Sequence, residues 1–310
     1  MITIYKNTES GLEVIPEVVT GCWVSVIDPS SNEIETLTAM GVPQDFITYP
    51  LDLDERARSE REDDGTLLVV LRVPFFQGTK TDIPYITIPL GIILTNRFLI
   101  TVCRRPHEIL QDLSSGKVRG LSTAKRNRFV LRILLMAATR YLNYLREINR
   151  IIETLEDQIV LASRNREMLE LLKYQKSLVY FTTALRSNEL MLERLQRWQV
   201  FKAFADDEDL LEDVITENQQ AIEMVGISTT ILSSTMDSFA SLVSNNLNEV
   251  MKFLASVTVV MSIPTIVTSF FGMNVGLPFQ EHPWAYVFII GLFVVMSAIV
   301  VIIFKKRDWF

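Results

Sequence analysis

The chain has 310 residues, is 48% hydrophobic and 22% charged, and carries a formal net charge of −7. That acidity argues against nucleic acid as a partner, because phosphate binding needs a basic face. Cys22 and Cys103 are the only cysteines, far apart and without metal-type spacing, which argues against a disulfide framework or thiol ligation.

From the start, residues 1–7 form a short strand-like piece containing Lys6, with no basic region followed by an apolar core, so no signal peptide is expected. Residues 22–26, 67–73, 86–94 and 98–103 are rich in Val, Ile, Leu and Phe and read as strands, with both cysteines buried in them. The last two should form a hairpin across Thr95-Asn96-Arg97. Between the strands, residues 51–64 (LDLDERARSEREDD) are a solvated charged segment. Residues 1–120 are therefore expected to be an α/β domain with a mixed sheet.

Residues 121–205 read as a long helical hairpin, free of Pro and Gly from Ser122 to Val200. Ile148, Ile152, Leu155 and Ile159 recur at helical spacing, while Arg146, Glu147, Arg150, Glu153 and Asp157 fill the other face. Two antiparallel helices breaking near Ser163-Arg164-Asn165 are expected. Asp206, Asp207, Glu208 and Asp209 then suit the first turn of a further helix. Only Gly226 and Pro264 interrupt its pattern up to Phe271. Unbroken, residues 206–271 would extend roughly 100 Å at ~1.5 Å per residue, about three times what a membrane needs. Such a helix runs from the cytosol into the bilayer.

Two apolar runs, residues 253–271 and 284–304, each reach the ~20 residues that cross a hydrocarbon core. No Lys or Arg occurs from Phe253 to Phe304, and the only acid there is Glu281, in the connection at 272–283. Lys305, Lys306 and Arg307 end the second run, so the 305–310 tail and the long N-terminal part are expected in the cytoplasm, with the connection outside. Trp284, Tyr286, Trp309 and Phe310 read as interfacial aromatics, and His282, one histidine beside Glu281, makes a poor transition-metal site alone.

Counting in alternating threes and fours along the long helix gives Asp237, Ser241, Ser244, Asn248, Met251, Ala255, Thr258, Ser262, Thr265 and Ser269. This seam is nearly free of large aliphatic groups. Small residues also serve close helix packing, but Asp237 and Asn248 in the same register favour a water-filled path. A single hairpin would leave such a seam facing lipid, so several copies are expected to assemble with their seams inward.

The segment Asn248-Glu249-Val250-Met251-Lys252, the span ending Phe270-Phe271-Gly272-Met273-Asn274-Val275, the second span and the closing Lys305-Lys306-Arg307-Asp308-Trp309-Phe310 resemble the CorA magnesium transporter family. Asp54-Glu55-Arg56-Ala57-Arg58, ahead of the 67–73 strand, also looks like that family's N-terminal domain. The resemblance implies an α+β membrane protein: a homopentamer with a funnel-shaped cytosolic domain, the long helix lining the pore and the Gly-Met-Asn loop as its outer mouth. Asn274 would meet the incoming ion, Gly272 and Met273 would shape the turn, Asn248 and Met251 would line the inner pore, and Asp237 would lie toward its entrance. Asp213, with Asp209 and Glu212 nearby, falls where the family places a regulatory cation site between subunits. The family often carries an acid just after the triplet. Here Val275-Gly276-Leu277-Pro278 intervenes, so cation attraction is expected to be weaker or to shift to Glu281.

The expected activity is passive Mg²⁺ uptake, with Co²⁺ or Ni²⁺ as further cargo, driven by membrane potential and closed by cytosolic Mg²⁺. No Walker-type phosphate loop, nucleophile–base pair or His-rich metal motif points to an enzyme or an organic cofactor. The alternatives are a zinc transporter on the same two-span plan and a non-conducting oligomeric scaffold or sensor.

Overall fold

The computed structural model describes residues 1–8, 11–116, 118, 121–162, 165–201, 204–273, 275–276, 283–307 and 309, leaving aside the side chains of residues 159–162 and 165. Contacts divide the chain into two units, Met1–Thr235 and Met236–Phe310.

The first unit is built on a seven-stranded sheet. In chain order the strands are β1 (Ile2–Thr8), β2 (Gly11–Ile15), β3 (Trp23–Ile27), β4 (Arg58–Arg61), β5 (Leu67–Phe76), β6 (Tyr85–Leu94) and β7 (Leu99–Cys103). Their spatial order is β2-β1-β3-β7-β6-β5-β4. β3 and β7 pair in parallel and all other neighbours are antiparallel, so the sheet is mixed as expected. The β6–β7 hairpin closes at Leu94 and Leu99, across the anticipated turn.

Why the central strands are apolar at every position follows from the two cores. Leu67, Val69, Leu71 and Val73 join one cluster, while Leu68 and Val70 join another, so β5 alternates between two covered faces. One face packs α1 (Ser31–Ala39) and α2 (Gln44–Thr48), through Leu37, Phe46 and Ile47. The other packs α4 (Arg126–Ala162), α5 (Asn165–Arg197) and the start of α6 (Ala205–Phe271), with α3 (Glu108–Ser114) at its margin. Cys22 and Cys103 are fully buried in these cores, Cys22 just ahead of β3. Neither outer strand, β2 or β4, has the apolar run that marks the inner strands. β4 lies inside the segment read as solvated, and its Arg-Ser-Glu-Arg composition is that of a charged edge strand.

α4 and α5 are the expected long helices; α4 ends at Ala162 and α5 begins at Asn165, and Ser163 and Arg164, where the break is expected, lie outside the described residues. Ile148 and Ile152 are buried, Leu155 is half-buried, and Arg146, Glu147, Arg150, Glu153 and Asp157 are exposed.

α3 opens on a buried histidine. His107 Nδ1 accepts from the Ile109 N–H at 3.1 Å, capping the helix, while Nε2 lies 2.8 Å from the Pro74 carbonyl. Only the neutral tautomer with hydrogen on Nε2 satisfies both contacts. Burial pushes its pKa below the usual 6.5, outweighing the Pro74 carbonyl and the nearby Glu108 and Asp112; Arg140 acts in the same direction as burial. With the folded-state pKa depressed, the unfolded chain binds the proton first as pH falls, so stability is full above about 6.5 and declines below it. The purified protein should lose up to about 1.4 kcal/mol per pH unit there. Thermal melts between pH 7.5 and 5 check this: His107→Asn should flatten the slope, and an unchanged slope would contradict the assignment.

Candidate functional site

The second unit contains the remainder of α6 from Met236 and a further helix, α7 (Ala285–Lys306). Both helices are long and apolar enough to cross a membrane, and almost none of either apolar segment is buried in protein. α6 is one unbroken helix of 67 residues, about 100 Å at ~1.5 Å per residue. It continues through Pro264, whose missing N–H leaves the carbonyl four residues earlier without its helical donor.

The predicted seam is an open face. Asp237, Ser241, Ser244, Asn248, Met251, Ala255, Thr258, Thr265 and Ser269 are exposed and Ser262 is half-exposed. The residues of α6 buried within the bilayer-length segment are Ser256, Ile263 and Val267. At ~100° per residue these sit roughly 120–160° round the helix from the seam. α7 stands on that remote side: Val260, about 180° from the seam, lines one cavity with Val301 and Lys305, flanked by Val257 and Met261. Hence the partner helix within the chain leaves the polar stripe uncovered.

The seam hydroxyls are also chemically oriented. Ser241 donates to the Asp237 carbonyl at 3.0 Å, Thr258 to Leu254 at 2.8 Å, Ser262 to Val259 at 2.7 Å and Thr265 to Met261 at 3.4 Å. With these four hydroxyl hydrogens engaged by the helix backbone, what remains outward at those positions is oxygen lone pairs. Oxygen acceptors at these four positions suit a cation, or the hydrogens of its water shell.

At the far end of α6, the Gly272 N–H donates to the Thr268 carbonyl at 2.9 Å. A Cβ at Gly272 would lie 3.1 Å from that same oxygen, a crowding that glycine avoids. Met273 is exposed. Asn274, Glu281 and His282 lie outside the described residues.

In the first unit, Asp209, Glu212 and Asp213 are exposed near the start of α6. Among the described residues, no three or more His, Cys, Asp or Glu side chains gather to hold a metal ion. Their neighbours behave differently. Asp207 is buried and accepts from Arg128 Nε at 3.0 Å, while Asp206 accepts from Arg128 Nη2 at 2.9 Å. These two carboxylates raise the Arg128 pKa and tie the start of α6 to α4. Acids in a first helical turn were legible, but their pairing with an arginine 78 and 79 positions earlier was not.

A family model described as CorA-like Mg²⁺ transporter protein matches residues 20–306. The cobalt/magnesium transport protein CorA of Methanocaldococcus jannaschii is 30% identical over 299 residues, covering 93% of this chain and 90% of that one. The magnesium transport protein CorA of Helicobacter pylori strain 26695 is 24% identical with the same coverage. The complete structure of the M. jannaschii magnesium transporter superposes with a TM-score of 0.87 at 26% identity, over 100% of this chain and 99% of that one. The full-length CmaX protein, at 17% identity and a TM-score of 0.73, shares the fold. A polar helix face, two apolar helices and a mixed-sheet domain thus occur together in a chain that belongs to the family of CorA-like Mg²⁺ transporter proteins.

Proposed function

We propose that the protein is a homopentameric channel in the cell membrane that admits hydrated Mg²⁺ down the membrane potential, with Co²⁺ and Ni²⁺ as lesser cargo. The observation that carries this reading is the uncovered polar seam from Asp237 to Ser269, turned away from α7, the only helix packed on this part of α6 among the described residues. An exposed row of hydroxyls and a carboxamide inside or beside a bilayer needs company, and copies arranged about an axis satisfy all seams at once. Lys252 before the first span and Lys305, Lys306 and Arg307 after the second orient both ends toward the cytoplasm.

Mg²⁺ gives up its octahedral water shell reluctantly, so fast passage favours oxygen acceptors that hold the water rather than the bare ion. Asn274, with Gly272 and Met273 shaping its turn, forms the outer ring; Glu281 draws cations to the mouth. Asn248 and Met251 narrow the inner path. A divalent ion moving inward gains about 4.6 kcal/mol per 100 mV, so no nucleotide is required. The purified protein in liposomes, under an imposed inside-negative potential, should load Mg²⁺ at a rate that rises with that potential. Zn²⁺ entry coupled to protons would favour a zinc transporter, and no flux of any cation would favour a scaffold.

Cytosolic Mg²⁺ closes the channel by bridging Asp213 to carboxylates of a neighbouring copy, Asp209 and Glu212 contributing charge. Losing the ion lets like-charged faces part. Asp213→Lys should therefore raise the internal Mg²⁺ needed for half-inhibition severalfold, with the initial influx unaltered. Unchanged inhibition would remove the regulatory role.

A further inference from the structure

We infer that the groove between α6 and α7 at the cytoplasmic end of the hairpin is a binding site for an anionic phospholipid. The cavity has a volume of about 420 Å³ and is lined by Val257, Val260, Met261, Val301 and Lys305. That is within the ~300–1,000 Å³ typical of small-ligand sites. Its walls are aliphatic except at one end, where Lys305 follows Val301 by one helical turn. A hydrocarbon chain suits the wall and an anion suits the rim, and a phospholipid carries both in that order.

Two further features fix the partner as an anionic lipid. Trp309 stacks on Phe304 with ring centroids 5.2 Å apart and planes 7° from parallel, and the Trp309 backbone N–H donates to the Phe304 carbonyl at 3.1 Å. An indole folded back onto Phe304 at the end of α7 marks the depth of the headgroup layer. The local charge is also one-sided, since Lys305, Lys306 and Arg307 are consecutive and Lys252 lies at the same end of α6. Basic pockets between transmembrane helices on the cytoplasmic side recognise phosphate headgroups in this way. The groove is off the seam, so lipid and permeating ion do not compete. Stopping the span and favouring the helix C-terminus would equally use Lys305, but neither needs an apolar groove beneath it. The site rests on the membrane placement of the hairpin and not on which ion is carried.

The test uses the full-length protein in detergent, titrated with phosphatidylglycerol or phosphatidylcholine and read by native mass spectrometry. Tighter binding of phosphatidylglycerol is expected, weakened about fivefold by Lys305→Gln and far less by Lys306→Gln. Val301→Trp should fill the groove and abolish the advantage of long-chain over short-chain phosphatidylglycerol. Equal binding of the two lipids, or equal losses from the two lysine variants, would overturn the site in favour of diffuse surface attraction. If Val301→Trp dissociates the oligomer while lipid binding persists, the groove is instead filled by a second copy and the proposal fails. None of these outcomes depends on Mg²⁺ flux, so the site and the transport reading fail separately.

Discussion

Asn274→Leu is expected to cut Mg²⁺ entry into proteoliposomes by about 100- to 1,000-fold, without changing the size of the assembled protein. Each amide oxygen of the proposed outer ring accepts a hydrogen from the ion's ordered water. At roughly 0.6–0.8 kcal/mol for each net hydrogen bond, five together contribute about 3–4 kcal/mol. At 1.4 kcal/mol per tenfold, their loss gives the stated range. Leucine has a similar volume, so steric occlusion is small and missing acceptors explain the effect. Asn274→Asp separates recognition from release: a carboxylate still accepts hydrogen bonds but adds charge, so divalents should bind more tightly and leave more slowly. Flux near wild type in Asn274→Leu, with the oligomer intact by size-exclusion chromatography, would remove Asn274 from the mouth.

Arg72→Met should have the largest effect on the soluble unit, destabilising it by about 3 kcal/mol and lowering its melting midpoint by roughly 6–12 °C. Arg72 lies on β5 and its guanidinium donates to three backbone carbonyls: Leu53 at 2.6 Å, Glu55 at 2.9 Å and Thr87 at 2.6 Å. It also reaches the Thr87 hydroxyl at 2.8 Å. Burial lowers its pKa, the cost being offset in part by Asp54 and Asp52. Methionine matches the aliphatic stem but leaves those acceptors without donors. The site is partly buried, so water recovers some of them, which holds the total below the sum of three full penalties. Arg72→Lys should cost less, because one ammonium cannot span acceptors arranged for a planar fork. A drop below 1 kcal/mol for Arg72→Met would contradict the role.

How far the sequence could be read depended on whether one residue type or a distant pair carried the information. The inner strands were legible because a sheet covered on both faces makes apolar runs, and their ends agree with the structure to within a few residues. The edge strand Arg58–Arg61 was not, since its residues have no apolar signature and it exists only as a partner of β5. The β3–β7 pairing is parallel and joins segments about 75 residues apart, which no local pattern announces. Arg72 looks in sequence like an interruption of a strand, and only the folded chain turns it into a donor for one loop and one neighbouring strand. The seam was visible because hydroxyls and Asn248 stand out among aliphatic residues at a constant helical register. Its openness was not, because that depends on which side α7 occupies.

Cysteine accessibility tests the openness of the seam directly. Thr258 belongs to the seam, whereas Val257, adjacent and ~100° round the helix, lines the groove beside α7. The native thiols give little background: both are buried, the Cys22 pKa is raised, and desolvation pushes Cys103 up to about 12, so neither offers a thiolate near pH 7. With a small, cationic, water-borne thiosulfonate, Thr258→Cys should be modified and Mg²⁺ flux blocked, while Val257→Cys should remain unmodified with its flux intact. Modification of Val257→Cys with Thr258→Cys protected would place the acceptor stripe against lipid or protein and contradict a shared aqueous axis.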